Sequence, residues 1–301
     1  MSQEKKLITT PNVRKFAREL GANINEIKGT ERKGRITQED VKNFVNNRLN
    51  KDNQLKNSTI EFSHSDFGET EIKEIPRVKK LAATHLVNSW QTIPHVTHHD
   101  EADVTELEEF RASLTDINTG EKIKISPLVF IIKSLLVALK KYPNFNSSID
   151  KINEGKITLK KYFHIGIAVD TEHGLMVPKI RNVNEKNLSQ ISLELKDISE
   201  KCRKLKIDKK EFFGGSMTIT SLGGIGGSFF TPIINYPEVA ILGVGKNYYK
   251  QVLIKDQFQK RVMLPLSLSY DHRVIDGAEG ARFCVHLKES LGKDFAYKLA
   301  V

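Results

Sequence analysis

Cysteine is scarce in this sequence: Cys202 and Cys284 are the only two in 301 residues. They stand far apart in helix-like contexts and in no C-x-x-C arrangement, which argues against a disulfide scaffold or a thiolate metal finger. Reduced, inert thiols in a reducing compartment are expected. Long apolar runs are missing too, and nothing approaches the roughly 18 uncharged apolar residues of a membrane span. Met1 to Thr10 has neither the apolar core of a secretory signal nor the Arg-rich, acid-free character of a transit peptide. A soluble, intracellular protein is expected, in the cytoplasm ahead of the mitochondrial matrix. Aromatic residues make up only 8% and are not interleaved with the basic ones, so no stacking platform for nucleic acid is in view. There is no H-E-x-x-H, no complete G-x-G-x-x-G and no G-K-S or G-K-T, so neither a zinc-peptidase helix nor a nucleotide fingerprint is satisfied.

Positive charge is in excess, with 47 Lys and Arg against 37 Asp and Glu. A net +10 suits anionic cofactor phosphates, an acidic protein partner or nucleic acid, and charge alone does not choose among them. Residues 8–46 read as a very small module. Pro11 opens a helix with Val13, Phe16, Ala17 and Leu20 on one face, and Gly21 supplies the stop. Thr37 and Asp40 then stand at capping-box spacing ahead of Val41, Phe44 and Val45. Residues 47–74, rich in Asn, Lys and Ser, read as a flexible linker, with Ile60, Phe62 and Phe67 offering an alternative as an arm packed on the next domain.

From 75 to 301, helix and strand patterns alternate, which predicts a mixed α/β layer architecture. Val78, Leu81, Ala82, Leu86 and Trp90 recur at helical spacing, and "SPLVFIIKSLLVALKKY" is apolar nearly all round, as a buried helix would be. In "RVMLPLSLSY" the residues Val262, Leu264, Leu266, Leu268 and Tyr270 alternate with smaller or polar ones, the period of a strand.

Three places offer chemistry. In "LSYDHRVIDG", His272 and Asp276 stand four residues apart where a strand pattern gives way to a helix pattern. An imidazole titrates near neutrality and can take a proton from an alcohol or thiol and return it, yet a carboxylate at that spacing also serves to cap a turn or hold an arginine. In "SMTITSL", if Met217 and Ile219 face a core, Thr218 and Thr220 face the other way, and Ser221 presents its hydroxyl opposite to Thr220. Such a hydroxyl can donate to a developing oxyanion, although polar strand faces are common. His95, His98 and His99 fit an alternating strand better than a metal face, and no metal is expected. The glycines of "SLGGIGGSFF" read as a turn or a close backbone approach.

Taken together, "IPHVTHHDEADVTELEEFR", "YFHIGIAVDTEHGLMVPKIRNV", "MTITSLGGIGGSFFTPIINYPEVAILGVGK" and "PLSLSYDHRVIDGAEGARF" closely resemble the catalytic domain of the dihydrolipoamide acyltransferases, the E2 subunits of 2-oxo acid dehydrogenase complexes. "TPNVRKFARELGANINEIKGTERKGRITQEDV" resembles their peripheral subunit-binding domain. The resemblance implies a chloramphenicol-acetyltransferase-like fold, a mixed sheet with flanking helices, preceded by a two-helix binding domain. It implies trimers with active sites between subunits, assembling into a larger core of about 24 chains. It implies acyl transfer between coenzyme A and a dihydrolipoyl thiol, with lipoamide as carrier and no metal. Similarity to the pyruvate type makes acetyl the expected group, ahead of succinyl or branched-chain groups.

Carried over residue by residue, His272 matches the general base and Thr220 the oxyanion hydroxyl, where the family usually has serine, with Ser221 a rival donor. Asp276 matches the motif acid, orienting the site through an arginine, for which Arg111 is the candidate. Arg14, Arg18, Lys33 and Arg35 match a basic face that binds the decarboxylase E1 or the dihydrolipoamide dehydrogenase E3. No lipoyl domain or lipoylation site is found in residues 1–301, so the expectation is either a piece of a longer chain that carries one or a chain served by a lipoyl domain of another chain, these residues alone using free dihydrolipoamide. A catalytically inactive core scaffold or E3-binding subunit is the alternative; the presence of His272 and the Thr220 hydroxyl speaks against it.

Overall fold

The computed structural model describes residues 8–55, 63–115, 119–293 and 295–299; of the three expected arm residues Ile60 and Phe62 lie outside them, and Phe67 is exposed. The chain divides into two units, Met1–Lys73 and Glu74–Val301. No helix among the described residues is long and apolar enough to cross a membrane.

In the first unit α1 (Pro11–Glu19) begins with its proline and α2 (Gln38–Leu55) with the reciprocal bonds of the capping box: Asp40 N–H donates to Thr37 Oγ1 (3.3 Å), and Thr37 N–H to Asp40 Oδ2 (2.9 Å). α2 continues to Leu55, so residues 47–55 of the expected linker are helical. The physical reason is that no glycine or proline interrupts the chain there, and its Asn, Lys, Gln and Leu residues are compatible with a helix. The core is small: Val13, Ala17, Ile27, Ile36 and Val41. Gly29 is required by packing, because a β-carbon there would lie 2.4 Å from the Gly34 carbonyl oxygen.

Asp40 organises this unit. Its carboxylate is 7% exposed and accepts from the N–H and hydroxyl groups of both Thr30 and Thr37. The backbone bond from Thr37 leads the set that holds its pKa below the ordinary aspartate value. Replacing it by alanine strands these donors and is expected to cost about 3 kcal/mol, enough to melt so small a core. Because the folded pKa is depressed, the contribution is present above the unfolded value near 3.8 and disappears as pH falls through the folded one. Circular dichroism of Asp40→Ala checks this; a parental thermal transition in the small unit would contradict it.

The second unit runs α3 (Arg77–Thr92), β1 (His95–Asp103), α4 (Thr105–Ser113), α5 (Pro127–Lys141), β2 (Ser147–Ser148), β3 (Thr158–Leu159), β4 (Ile165–Ile167), β5 (Lys179–Ile180), α6 (Leu188–Arg203), β6 (Met217–Ser221), β7 (Ala240–Val244), β8 (Tyr248–Ile254), β9 (Gln257–Asp271), α7 (Gly277–Leu291) and α8 (Phe295–Leu299). The main sheet has the order β1-β9-β7-β6-β4-β5, with β8 paired to the first half of β9. β4, β6 and β7 are parallel and the other pairings antiparallel, so the predicted mixed sheet is what forms.

Side-chain alternation divides the sheet into two faces. Leu264, Leu266, Leu268 and Tyr270 of β9, with Leu242, Met217 and Ile219, join the buried side of α5 and of α7 in one core. The opposite face is polar: Thr97 bonds Ser269 (2.8 Å) and His99 bonds Ser267 (3.0 Å). Buried on that face, Lys179 and Glu238 form an ion pair of 2.7 Å with side chains 1% and 2% exposed. Thr218 Oγ1 and Asn235 Nδ2 donate to the same carboxylate at 2.7 and 3.1 Å. Cys202 and Cys284 are buried and unpaired, and burial pushes their thiols up to about 11 and about 12, far from reactive thiolates.

One expectation changes. The apolar stripe of α3 exists, but Leu81, Leu86 and Trp90 are 68%, 43% and 64% exposed. Among the described residues that side is left largely uncovered: the buried contact of α3 is made through Ser89, Val78 at its start touches the core, and Trp90 meets only the edge of the domain at the His95 ring (5.5 Å).

Candidate active site

Two hydroxyls end β6, and the strand sorts them. Thr220 lies on the polar face, partly buried, and its hydroxyl makes no hydrogen bond among the described residues. Ser221 points to the other face, where Oγ accepts the Gly223 N–H (3.3 Å) and closes the turn that starts the glycine-rich loop. That loop returns over the sheet: a β-carbon at Gly243 would sit 2.8 Å from the Phe230 ring, so the glycine admits the aromatic beside Thr220's neighbour.

His272 follows β9 at the other end. Its ring is exposed, 6.1 Å centroid to centroid from Tyr270, and forms no hydrogen bond among the described residues. The register fixes how far it is from Thr220. Thr220 pairs with Gly243, and Gly243 with Ser267, so Asp271 lies four residues further along β9. At the usual strand rise and spacing, this is about 13 Å along the sheet and about 10 Å across it. A single chain therefore does not bring His272 and Thr220 together around one reacting atom.

Asp276 is the N-cap of α7, with its carboxylate accepting the Glu279 N–H at 2.7 Å. The expected link from Asp276 to Arg111 does not form within the chain. Arg111 sits on α4 and is occupied by Glu108 (2.6 Å) and the Ile125 carbonyl (3.1 Å). The reason is local: Glu108 is one helical turn from Arg111, whereas Asp276 spends its oxygen on a helix N-terminus. The arginine at the histidine's turn is Arg273, bonded through Nε and Nη2 to the fully buried Asp271. Neither residue was singled out from the sequence; the adjacent D-H-R letters were the available signal.

The three β1 histidines separate as a strand requires. His95 and His99 lie on the polar face and His98 on the core side, where Nδ1 lies 3.4 Å from the Tyr270 hydroxyl. His95 is neutral by geometry: Nε2 accepts the Ile234 N–H (3.0 Å), so Nδ1–H donates to the Ile93 carbonyl (2.7 Å). Among the described residues no group of three or more His, Cys, Asp or Glu side chains is arranged to hold a metal ion. Beside the loop preceding β7 lies a cavity of about 980 Å³ lined by Leu81, His85, Lys160, Phe213, Tyr236 and Glu238, among others. Burial lowers the Lys160 ammonium to about 8, and its Nζ donates to the Ser147 and Gly215 carbonyls, both at 2.7 Å. In the small unit Arg14, Arg18, Lys33 and Arg35 are all exposed; Arg35 has a 3.8 Å contact with Glu31.

The family model for the 2-oxoacid dehydrogenases acyltransferase catalytic domain matches residues 67–296, and that for the E3-binding domain matches residues 7–42. The dihydrolipoyllysine-residue acetyltransferase component of the pyruvate dehydrogenase complex of Cupriavidus necator is 46% identical over 297 residues, covering 94% of this chain and 53% of that protein. The chain spans about half the length of this and a similar Haemophilus influenzae relative. Among solved structures, the dihydrolipoamide acetyltransferase of Azotobacter vinelandii is 44% identical with a TM-score of 0.76, covering 80% of this chain and 98% of that one. The same scores and coverage hold for the cubic core of a pyruvate dehydrogenase multienzyme complex. In the Azotobacter enzyme a serine, a histidine and an asparagine were studied for their role in the catalytic mechanism. Those residues stand at the same sequence intervals as Thr220, His272 and Asp276.

Proposed function

The chain belongs to the 2-oxoacid dehydrogenase acyltransferase family, and on that footing we propose that it transfers an acetyl group between coenzyme A and the thiol of dihydrolipoamide, in sites assembled between copies of itself. The observation that carries this reading is the pairing of His272 and Thr220 at the intervals of the Azotobacter histidine and serine. Their separation within one chain is the argument for a second copy: the histidine of one subunit works with the threonine of another. The exposed stripe of Leu81, Leu86 and Trp90 on α3 is apolar surface of the kind a neighbouring subunit covers. Trimers built this way, joined into a cubic core, are the proposed assembly.

In the reaction His272 acts as general base. A thiol in water has a pKa of about 8.5, so at neutral pH most of it is protonated, and a neutral imidazole in contact takes the proton as sulfur attacks the thioester carbonyl. The tetrahedral oxyanion accepts the Thr220 hydroxyl proton in a hydrogen bond. Collapse breaks the other carbon–sulfur bond, and the departing thiolate recovers the proton from the imidazolium, so the transfer runs in either direction. Asp276 fixes the first turn of α7 behind the histidine.

Thr220→Ala is expected to lower kcat about a hundredfold with little change in KM, and Ser221→Ala to leave kcat within about threefold, since Ser221 lies on the opposite face. Steady-state kinetics with acetyl-CoA and dihydrolipoamide decides it; a large loss confined to Ser221→Ala would reassign the donor. Comparing acetyl-, propionyl- and succinyl-CoA tests the acyl group, and a preference for succinyl-CoA would overturn acetyl.

The small unit is proposed to hold E1 or E3 through Arg14, Arg18, Lys33 and Arg35. Support comes from the family match over residues 7–42 and from the exposure of all four cations, which suits charge-assisted contacts with acidic side chains. Binding of either enzyme that was indifferent both to salt and to Arg35→Glu would argue against this face. The lipoyl group is proposed to arrive from outside residues 1–301, as free dihydrolipoamide or on another domain, and the site of action to be the bacterial cytoplasm.

A further inference from the structure

We propose that Asp271 is the positioning residue that holds His272 in register for proton transfer; this rests on His272 being the base. Five consecutive backbone N–H groups carry the histidine's turn, and Asp271 receives three of them. Its carboxylate accepts from Arg273 N–H (3.0 Å), and its carbonyl from Val274 N–H and Ile275 N–H (both 3.0 Å). The other two tie the turn to the sheet: Asp271 N–H donates to the Val239 carbonyl (2.8 Å) and His272 N–H to the Pro94 carbonyl (3.0 Å). Arg273 closes the loop from outside, with Nε at 3.0 Å and Nη2 at 2.6 Å from the two carboxylate oxygens.

The His272 ring has no hydrogen bond of its own among the described residues, so its position is inherited from its backbone, and the backbone is tied through Asp271. The Asp271 carboxylate is fully buried, a costly place for a charge unless its oxygens are bonded, and here both are taken up by Arg273. The charge does something an apolar residue cannot: it binds a backbone amide and a guanidinium two residues on and folds the chain tightly around position 272. Asparagine does not replace it, because one face of its amide presents N–H groups to a guanidinium that has only N–H groups to offer.

The test uses the assembled protein, with kcat and KM measured for acetyl-CoA and for dihydrolipoamide. Asp271→Asn is expected to lower kcat about a hundredfold, the loss that follows from misplacing a catalytic group by about 1 Å, while each KM stays within about threefold. In a His272→Ala background the same change is expected to remove nothing further, because a positioning effect needs the residue it positions. Parental kcat for Asp271→Asn, a loss carried in KM, or the full loss repeated without His272 would overturn the proposal. Should Asp271→Asn fail to assemble, Arg273→Lys and Arg273→Gln substitute. A graded kcat loss, smaller for lysine and absent without His272, supports it, and parental kcat in both overturns it. If His272→Ala itself keeps its turnover, the base assignment fails, a result distinct from failure at Asp271.

Discussion

Acetyl transfer is expected to fall about a thousandfold when His272 is replaced by alanine, with the particle still assembled. The ring is exposed and makes no hydrogen bond among the described residues, so truncation leaves no buried group stranded and no cavity. What is lost is the proposed proton acceptor. With a thiol pKa of about 8.5, only a few per cent of the nucleophile is thiolate at pH 7. Raising the pH toward 9.5 should therefore recover roughly thirtyfold in the variant, while the parent gains much less. The measurement is thioester formation followed across pH, beside light scattering for assembly. Turnover near parental at pH 7 would remove His272 from the mechanism.

Lys179→Met carries the largest expected effect on stability, about 4 kcal/mol, or roughly 12 °C in melting temperature for a unit of this size. The pair is 1% and 2% exposed, and removing the ammonium leaves the Glu238 carboxylate buried with Thr218 and Asn235 as its remaining donors. Gly166 and Gly215 leave room for the lysine; a β-carbon at either would come within 2.8 Å of its Nζ. Adding Glu238→Leu to Lys179→Met should recover much of the loss, since a buried pair replaced whole by apolar groups is often tolerated. A single variant that melts within about 2 °C of the parent would show that the buried charge is not costly here.

Much of this was open to reading in the chain. The alternation in β9 set Leu264, Leu266, Leu268 and Tyr270 toward the core, and the structure has them there. The same period of two placed Thr220 opposite Met217 and Ile219, and it also sorted His95 and His99 from His98. The all-round apolar "PLVFIIKSLLVALKK" became the buried helix α5, and Thr37 with Asp40 became a capping box. These are local regularities, decided by which side of a strand or helix each residue occupies. Arg111 and α3 went differently. A helical arginine takes the carboxylate within its own turn before one reached through the fold. An apolar stripe says that a helix has a face to bury, and not whether its own chain supplies the cover.

The short-range code of period, caps and turn residues established the elements and the polar and apolar faces of the sheet, because each depends on neighbours a few positions away, while His272 and Thr220 took their expected roles from the family resemblance of the longer segments around them. Distance between elements belongs to the tertiary structure. Sheet order and register set Thr220 and His272 far apart, two strands and some five residues along the sheet, and burial paired Lys179 with Glu238 across 59 positions. The same packing turned a D-H-R triplet into a closed turn with the histidine at its apex. Those results follow from strand pairing and from the cost of leaving buried charge unmatched, and both act between residues that are remote along the chain.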